Sequence, residues 1–380
     1  MSPATDLALM CGDDSPQFTI NTSNNGVAES LSVTVAITPH PNYFNVSVIT
    51  GSGSYPNYSS NIDGELTLKI TAKDTANIDF DDSYKLTATL VDDVNQSVES
   101  QFKFVPFRFS LFDGDSVTNR LDVIAGQATS ADTRVLACDS NDKVTVAKNY
   151  NVESEDVVVV SYELNSPSKG IKGQLTYAPT YTNGVSDSPL TITESGIFDL
   201  QLSDTFDCDG FEGCPDSGTY DLKGFFSVYS RPWKIAICDI KQKNTPTNLN
   251  PSTTTQSQGF MASGETFSVT YKPVQFGVSI GADACVLPIT LNYATDDGSL
   301  VVSRDLVYPN AEQASLGNLA GEETTNFSGA QNGIKTLEYN WDEVGSINFV
   351  TSSDEHPITY LGQNLDSHTV LIGRFYPKYF

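Results

Sequence analysis

The sequence has few of the groups that metal sites and catalytic centres use. Its 380 residues include three histidines and six cysteines, and no two cysteines form a Cys-x-x-Cys pair. A zinc site or a thioredoxin-like redox pair is therefore not expected. The longest purely aliphatic run, Val157 to Val160, is far shorter than the roughly 20 residues that a membrane helix needs. We expect no membrane insertion of this chain.

Basic residues are also scarce. The chain carries 21 Lys and Arg residues against 47 Asp and Glu residues, which gives a formal net charge of −26. A field of that sign repels phosphate backbones, so nucleic acid is not an expected partner. Hydrophobic residues still make up 39% of the chain, which is enough to bury several cores and argues against an acidic disordered protein.

Apolar and polar residues alternate with a period of two in segments such as 31–37, 84–90, 267–271 and 287–293. This alternation is typical of antiparallel strands that have one face in a core. Turn dipeptides separate many of the strands, for example Asp63-Gly64, Asn183-Gly184, Asp297-Gly298 and Asn332-Gly333. The pattern predicts an all-β fold of tandem immunoglobulin-like β-sandwich modules, with a short helix only within 311–321.

A short proline segment occurs three times. It appears as Val105-Pro106-Phe107, Arg231-Pro232-Trp233 and Tyr376-Pro377-Lys378, and an apolar residue follows each proline by three positions. A proline is tolerated best at the first position of a strand, where its missing N–H does least harm. We therefore expect a strand, and a new module, to begin at each of these segments.

A second sequence pattern indicates the same repeat of modules. After Asn183-Gly184 and Asn332-Gly333, three matching pairs follow at equal distances: Glu194 and Glu343, Gly196 and Gly345, Phe198 and Ile347. We expect each glutamate to accept hydrogen bonds from backbone N–H groups. The modules predicted are 1–105, 106–231 and 232–376, the third with a mobile loop near 242–258, and residues 377–380 are the predicted start of a truncated further module.

The even number of cysteines in an acidic, β-rich chain fits an oxidising compartment. Cys208 and Cys214 enclose a short glycine-containing loop that a disulfide could close. We predict that bond, together with Cys238–Cys285 and, by elimination, Cys11–Cys138.

Acidic clusters provide the only candidate cofactor site, which would bind calcium. The candidate ligands lie in predicted turns: Asp113, Asp115, Asp139, Asn141 and Asp142. Calcium binds six to eight oxygen ligands and often stiffens boundaries between extracellular modules. The alternative is that these residues simply form turns, which Asp and Asn favour. No other cofactor is expected.

Nothing in the sequence predicts an enzyme. Gly277-Val278-Ser279-Ile280-Gly281 matches a G-x-S-x-G nucleophile motif, but a further β segment follows it where the motif requires a helix. The three histidines are widely separated, and two of them precede proline. We expect no catalytic residues.

The C-terminal part of the chain resembles the MshQ-type family of the MSHA (mannose-sensitive haemagglutinin) type IV pilus system. The similar segments are 231–233, 260–269, 340–347, 360–362 and 372–380, and the resemblance extends over residues 109–380. It implies an exported, pilus-associated protein of the bacterial cell surface. It implies no catalytic or binding residue.

The function expected from these observations is a non-enzymatic, extracytoplasmic scaffold or stalk segment that serves adhesion or pilus assembly. Its partners would be pilus or other surface proteins. The alternative is a recognition module that binds a host or substrate glycan, or a protein, through loops at the ends of the sandwiches.

Overall fold

The computed structural model describes most of the chain, namely residues 1–10, 14–138, 143–153, 158–245, 249–250, 259–277, 283–309 and 314–379. Its main elements are β-strands that form three successive pairs of sheets. We name these pairs unit 1, unit 2 and unit 3, and their strands lie within residues 5–105, 108–231 and 234–376.

Unit 1 begins with an edge strand that runs parallel to the last strand of the unit. Its sheets have the orders β1-β11-β10-β5-β8-β7 and β2-β9-β6, and β3 and β4 form a small hairpin. The strands are β1 (Thr5–Leu9), β2 (Gln17–Asn21), β3 (Ser23–Asn24), β4 (Val27–Ala28), β5 (Ser32–Thr38), β6 (Phe44–Thr50), β7 (Ser52–Ser54), β8 (Asn57–Ser59), β9 (Glu65–Ala72), β10 (Tyr84–Leu90) and β11 (Ser97–Val105).

Unit 2 repeats this arrangement, with β14 parallel to β21. Its sheets have the orders β13-β12-β15-β19-β18, with β16 also paired to β15, and β14-β21-β20-β17. The strands are β12 (Arg108–Asp113), β13 (Ser116–Thr118), β14 (Arg120–Ile124), β15 (Thr129–Cys138), β16 (Val144–Val146), β17 (Val159–Ser166), β18 (Leu175–Thr176), β19 (Val185–Ile192), β20 (Gly196–Asp207) and β21 (Thr219–Arg231).

Unit 3 has the sheet orders β22-β24-β28-β26 and β23-β32-β29-β25-β27, again with a parallel pair, β23 and β32. It also contains a hairpin of β30 and β31 and one short α-helix, α1 (Leu291–Thr295). The strands are β22 (Lys234–Gln242), β23 (Met261–Ala262), β24 (Thr266–Val274), β25 (Ser299–Tyr308), β26 (Leu319–Ala320), β27 (Thr324–Asn326), β28 (Lys335–Trp341), β29 (Gly345–Thr351), β30 (Thr359–Tyr360), β31 (Gln363–Asn364) and β32 (His368–Tyr376).

The all-β, immunoglobulin-like fold class predicted from the sequence is confirmed. In each unit two sheets face each other, and the alternating apolar residues fill the space between them. In β5, for example, Val33, Val35 and Ile37 are buried while the residues between them are exposed. No helix in the described part of the chain is long and apolar enough to span a membrane.

The hydrophobic core is continuous from unit 1 into unit 2, whereas unit 3 has a core of its own. The ring of Phe80 in unit 1 packs edge-on against Phe206 in unit 2, with 6.3 Å between ring centroids. Trp341 is fully buried in unit 3, and its indole N–H donates to the Leu316 carbonyl at 2.8 Å. Buried aromatic pairs of this kind add to the stability gained from burial alone.

The second repeated pattern of the sequence occupies one and the same place in units 2 and 3. Asn183 and Asn332 have φ angles of 52° and 51°, and each is followed by a glycine with positive φ. A two-residue turn with two left-handed residues is the turn that joins antiparallel strands with the correct twist. Phe198 then pairs with Leu164 and Val228, while Ile347 pairs with Leu306 and Ile372, in the corresponding middle strands.

Two local predictions are wrong. The alternation at 287–293 predicted a strand, but Leu291–Thr295 is helical and follows a 3-10 turn at Ala284–Val286. Long-range contacts decide this segment: Tyr293 is buried, and Asn292 bonds to unit 2. A helix was expected within 311–321, yet Leu319–Ala320 is a strand paired with β28; residues 310–313 lie outside the described residues. Tertiary packing overrides short-range pattern in both cases.

Candidate functional site

Among the described residues, the three histidines that could have supported catalysis lie in separate elements. His40 stacks on Tyr43 in unit 1, His356 lies in an exposed turn, and His368 lies in β32. Within the described residues, no group of three or more His, Cys, Asp and Glu side chains could hold a metal ion. Residues 278–281, which carry the G-x-S-x-G motif, lie outside the described residues.

The calcium site predicted from the sequence lies only partly within the described residues, and it stays a prediction. Asp113 and Asp115 flank the turn between β12 and β13, and Arg134 donates to the Gly114 carbonyl in that turn at 2.9 Å. Asp139, Asn141 and Asp142 lie outside the described residues, directly after Cys138. Because Arg108 pairs with Leu136, Cys138 and Asp113 lie at opposite ends of this pair of strands. A guanidinium already faces the first turn, which makes that turn a poor cation site.

Two disulfides are present among the described cysteines, as the sequence predicted. Cys208–Cys214 closes a six-residue separation, and Cys238–Cys285 closes one of 47 residues. The pairing of Cys11 with Cys138 stays a prediction, because Cys11 lies outside the described residues. The backbone N–H of Cys138 does donate to the carbonyl of Met10, the residue before Cys11.

The Cys208–Cys214 loop contacts the free edge of unit 1. The backbone N–H of Leu7 in β1 donates to the Glu212 carbonyl at 2.9 Å. Thr5 adds two bonds, because its hydroxyl donates to the Gly210 carbonyl at 3.1 Å and accepts from the Glu212 N–H at 3.0 Å. An edge strand exposes unpaired backbone groups, and here the loop pairs some of them. The disulfide therefore holds a loop that connects two units.

The most extensive polar contacts between units lie at two junctions, and both junctions use the same backbone hydrogen bond. At junction 1–2 the N–H of Cys138 donates to the Met10 carbonyl, and at junction 2–3 the N–H of Phe276 donates to the Ala125 carbonyl at 2.8 Å. The two donors hold equivalent positions. Cys138 comes two residues after Leu136, which pairs with the first residue of β12, Arg108, and Phe276 comes two residues after Val274, which pairs with the first residue of β22, Lys234. Met10 directly follows β1, and Ala125 directly follows β14. Each of these strands runs parallel to the last strand of its unit, β11 or β21.

An asparagine provides the second shared contact. Asn149 Nδ2 donates to the Ile78 carbonyl of unit 1 at 2.9 Å. Asn292 Nδ2 donates to the Ser195 carbonyl of unit 2 at 2.8 Å and also contacts the Ile171 carbonyl at 2.8 Å. Each asparagine precedes a buried tyrosine, so the dipeptide Asn-Tyr marks the incoming unit at both junctions.

The third shared contact is made with a different side chain at each junction. At junction 1–2 the Lys148 N–H lies 3.5 Å from the hydroxyl oxygen of Thr75. At junction 2–3 the carboxylate of Glu194 accepts the N–H groups of Leu291 at 3.0 Å and Asn292 at 3.1 Å. Burial raises the pKa of the Glu194 carboxyl, and the backbone N–H donors oppose that rise. The expectation that Glu194 binds backbone N–H groups is met: it accepts the Ser195 N–H of its own unit and two N–H groups of the next unit.

The second proline segment is fixed by one aspartate that the sequence did not single out. Asp366 accepts from Arg231 Nη2 at 2.9 Å and from the indole N–H of Trp233 at 2.7 Å. Arg231 also donates to the Pro232 and Trp233 carbonyls, so its guanidinium is bonded on several sides. The connection between units 2 and 3 is thus held by charge-assisted hydrogen bonds.

The hairpin of β30 and β31 extends junction 2–3 on one side. Gln363 Nε2 donates to the Tyr229 carbonyl at 2.8 Å, and Arg120 donates to the Leu361 carbonyl at the same distance. The Arg120 guanidinium also lies 4.0 Å from the centre of the Tyr229 ring. No local pattern predicted these contacts, because the two hydrogen bonds join positions more than 130 residues apart.

Comparisons with known proteins give one family match over part of the chain and several solved structures with low TM-scores. A family model described as the second domain of DUF6701 matches residues 231–338, and no curated protein matches. Invasin, titled a bacterial integrin-binding protein, is 12% identical over 98% of this chain, which spans 58% of the invasin chain, with a TM-score of 0.36. The D0-D1 domain of intimin is 14% identical over 59% of this chain and 95% of its own, with a TM-score of 0.20. Titin tandem Ig domains are 11% identical over 60% of this chain and 92% of their own, with a TM-score of 0.23.

A pH effect is expected from His368. Its Nδ1 accepts the Ile237 N–H at 3.1 Å, and burial, helped by Lys234 and opposed by Asp283, lowers its pKa to about 4. The unfolded value is about 6.5, so the folded state holds fewer protons between these values and loses stability as pH falls from about 6.5 towards 4. His368→Asn keeps an acceptor and cannot titrate. Urea unfolding at pH 7 and 4.5 should show the wild type losing about 2 kcal/mol more than the variant; parallel losses would contradict this.

Glu194 and Glu343 allow a matched test of junction 2–3. Glu194→Gln replaces an acceptor oxygen with an NH2 group that faces backbone N–H donors, so unfolding should become easier by about 2 kcal/mol. Glu343 holds the same position in unit 3 but contacts no further unit, and Glu343→Gln should change stability by less than about 0.5 kcal/mol. Urea unfolding followed by tryptophan fluorescence measures both. Equal effects of the two substitutions would show that Glu194 does not stabilise the junction.

Proposed function

We propose that this chain is a non-enzymatic stalk segment in which β-sandwich modules are held in a fixed relation to one another. The observation that carries the proposal is the repetition of one set of contacts at both junctions: a backbone bond to the end of the preceding unit, an asparagine side chain, and a side-chain oxygen on a backbone N–H. Neighbouring domains move relative to each other unless their interface is extensive, and the apolar core is shared between units 1 and 2. Repeated, buried polar contacts suit a segment that transmits position or force.

We propose module boundaries near 105 and 231, at the first two proline segments. Each of the three sheet pairs is then one module, at 1–105, 106–231 and 232–376. Most of the predicted mobile loop near 242–258 lies outside the described residues, as does Phe380. In this arrangement Pro106 and Pro232 each lie two residues before the first strand of a new module, outside the sheet, where a missing N–H is tolerated.

The absence of enzymatic activity is part of the proposal. Catalysis requires titratable groups in convergent geometry with pKa values suited to proton transfer. His368, the most buried of the histidines, is occupied by the backbone N–H of Ile237. Glu194, the buried glutamate, is occupied by the N–H groups of unit 3. These groups serve the fold and the junction.

We further propose that the segment lies outside the cytoplasm, on a bacterial surface, in association with pili. The disulfides support an oxidising location. Pilus association follows from the resemblance of the C-terminal segments to the MshQ-type family, and the DUF6701 match falls within the same region. Pilus or other surface proteins are the proposed partners, with adhesion or pilus assembly as the process served.

Rigidity can be tested by small-angle X-ray scattering. We expect an extended profile that fits one fixed arrangement of the three units and does not change on adding about 1 mM calcium. The double variant Asn149→Ala and Asn292→Ala removes one contact from each junction and should give a broader distribution of lengths. Asn45→Ala, an exposed asparagine in β6, is the control. A flexible wild type, or a profile that becomes extended only with calcium, would contradict the proposal.

The surface role can be tested in the bacterium that makes the protein. An in-frame deletion of residues 106–376 should lower attachment and the number of displayed pili, while secreted hydrolase activities stay unchanged. Unaltered attachment and pilus number would refute the pilus role. Saturable binding of a glycan by the purified chain would instead favour direct recognition, and turnover of an ester or glycoside would refute the absence of catalysis.

A further inference from the structure

All three units end in the same backbone arrangement. The last strands β11, β21 and β32 end at Val105, Arg231 and Tyr376, and a proline follows each of them. Their final carbonyls accept the N–H groups of Met10, Ala125 and Ser263 at 2.8, 2.8 and 2.9 Å. We call the surface around these residues the end face of each unit.

The end faces of units 2 and 3 match in further detail. Gly126 and Gly264 have φ angles of 81° and 80°, and their N–H groups donate to Ile192 and Trp341, both at 2.7 Å. A left-handed glycine fixes the direction of the chain at both places. Glu194 and Glu343 then precede Gly196 and Gly345 by two residues, and both of these glycines have strongly positive φ. The acceptors that bind unit 3 therefore have counterparts on unit 3 itself.

The first two end faces are covered, whereas the third is open. Val105 is 0% exposed and Arg231 is 9% exposed, but Tyr376 is 48% exposed. Next to the glutamates, Ser195 is fully buried while Val344 is 36% exposed. Each covered face owes its burial to the following unit, through the Cys138 and Phe276 N–H groups and the Asn-Tyr turns.

We propose that the end face of unit 3, formed by Ser263, Glu343, Val344 and Tyr376, is a docking surface for a further β-sandwich unit of the same kind, joined to it through Tyr376-Pro377. The Ser263 carbonyl accepts the N–H at the end of the second strand of the incoming unit, as Met10 and Ala125 do. The Glu343 carboxylate accepts backbone N–H groups at its Asn-Tyr turn, as Glu194 does. The face presents acceptors and apolar side chains, and the incoming unit presents donors.

This inference deepens the proposed stalk function and rests on it, because a face that repeats allows units to be added in series. The acceptors on the end face specify which groups the occupant must present. These are a strand end with a free N–H, an asparagine amide and a turn with two exposed N–H groups. In a second copy of the chain these groups of units 2 and 3 are already bonded to the preceding unit, so a further unit continuous with the chain is the occupant that fits. The test below separates these occupants.

The experiment uses the full chain with one unit added. Residues 1–378 are followed directly by residues 234–380, so that Lys378 takes the position of Trp233 in front of a second copy of unit 3. Scattering of the extended chain should show one longer rigid particle. Limited proteolysis near Pro377 should be slow, and Glu343→Gln should accelerate it by about tenfold. Glu355→Gln, the same change at an exposed site away from the face, should leave the cleavage rate unchanged.

Three results would overturn the proposal. The first is free movement of the added unit while units 1 to 3 remain rigid, which leaves the stalk function intact. The second is an extended chain in which Glu343→Gln and Glu355→Gln behave alike. The third is self-association of the unextended chain that Glu343→Gln abolishes, since the face would then bind a second copy. A flexible unextended chain would refute the stalk function first.

Discussion

A β-sandwich leaves backbone N–H and C=O groups without partners at its two ends, and water or another part of the protein must bind them. In this chain the next unit supplies the partners. Met10 and Ala125 directly follow strands that run parallel to the last strand of their unit. The carbonyl of each therefore lies at the end face, next to the following sandwich. The N–H groups of Cys138 and Phe276 meet them there. The position of each unit relative to the one before depends on this bond.

The two junctions share a geometry but differ in chemistry. Junction 1–2 uses the neutral hydroxyl of Thr75, continuous hydrophobic packing and a loop held by the Cys208–Cys214 disulfide. Junction 2–3 uses the Glu194 carboxylate and the Arg231–Asp366 pair, while the core of unit 3 remains separate. Hydrogen bonds to charged groups contribute roughly 1.5–3 kcal/mol each, compared with about 1 kcal/mol for neutral ones. Charged contacts thus replace shared apolar packing at the second junction.

The strong negative charge of the chain affects these contacts unequally. Arg231 is mostly buried and bonded to carbonyls as well as to Asp366, so salt screens this pair less than the exposed pairs on the sheets. Exposed pairs such as Lys85–Glu99 contribute little. We expect junction 2–3, which relies on backbone bonds and a mostly buried guanidinium, to depend less on salt than the exposed pairs do.

The sequence by itself determined the fold class, the two disulfides Cys208–Cys214 and Cys238–Cys285, and the Asn-Gly turns. Most of these features depend on local chemistry: a period of two, the short loop between Cys208 and Cys214, and a turn that requires two left-handed residues. The expectation that a glutamate accepts backbone N–H groups is met at Glu194, whereas Glu343 accepts none within the described part of the chain. The tertiary structure alone decided that two of the groups bound by Glu194 belong to the next unit, that Asp366 fixes Arg231 and Trp233, and that residues 291–295 form a helix. Each of those outcomes joins residues about 100 or more positions apart or rests on such a contact, and no local pattern encodes which distant group will be there to accept a hydrogen bond.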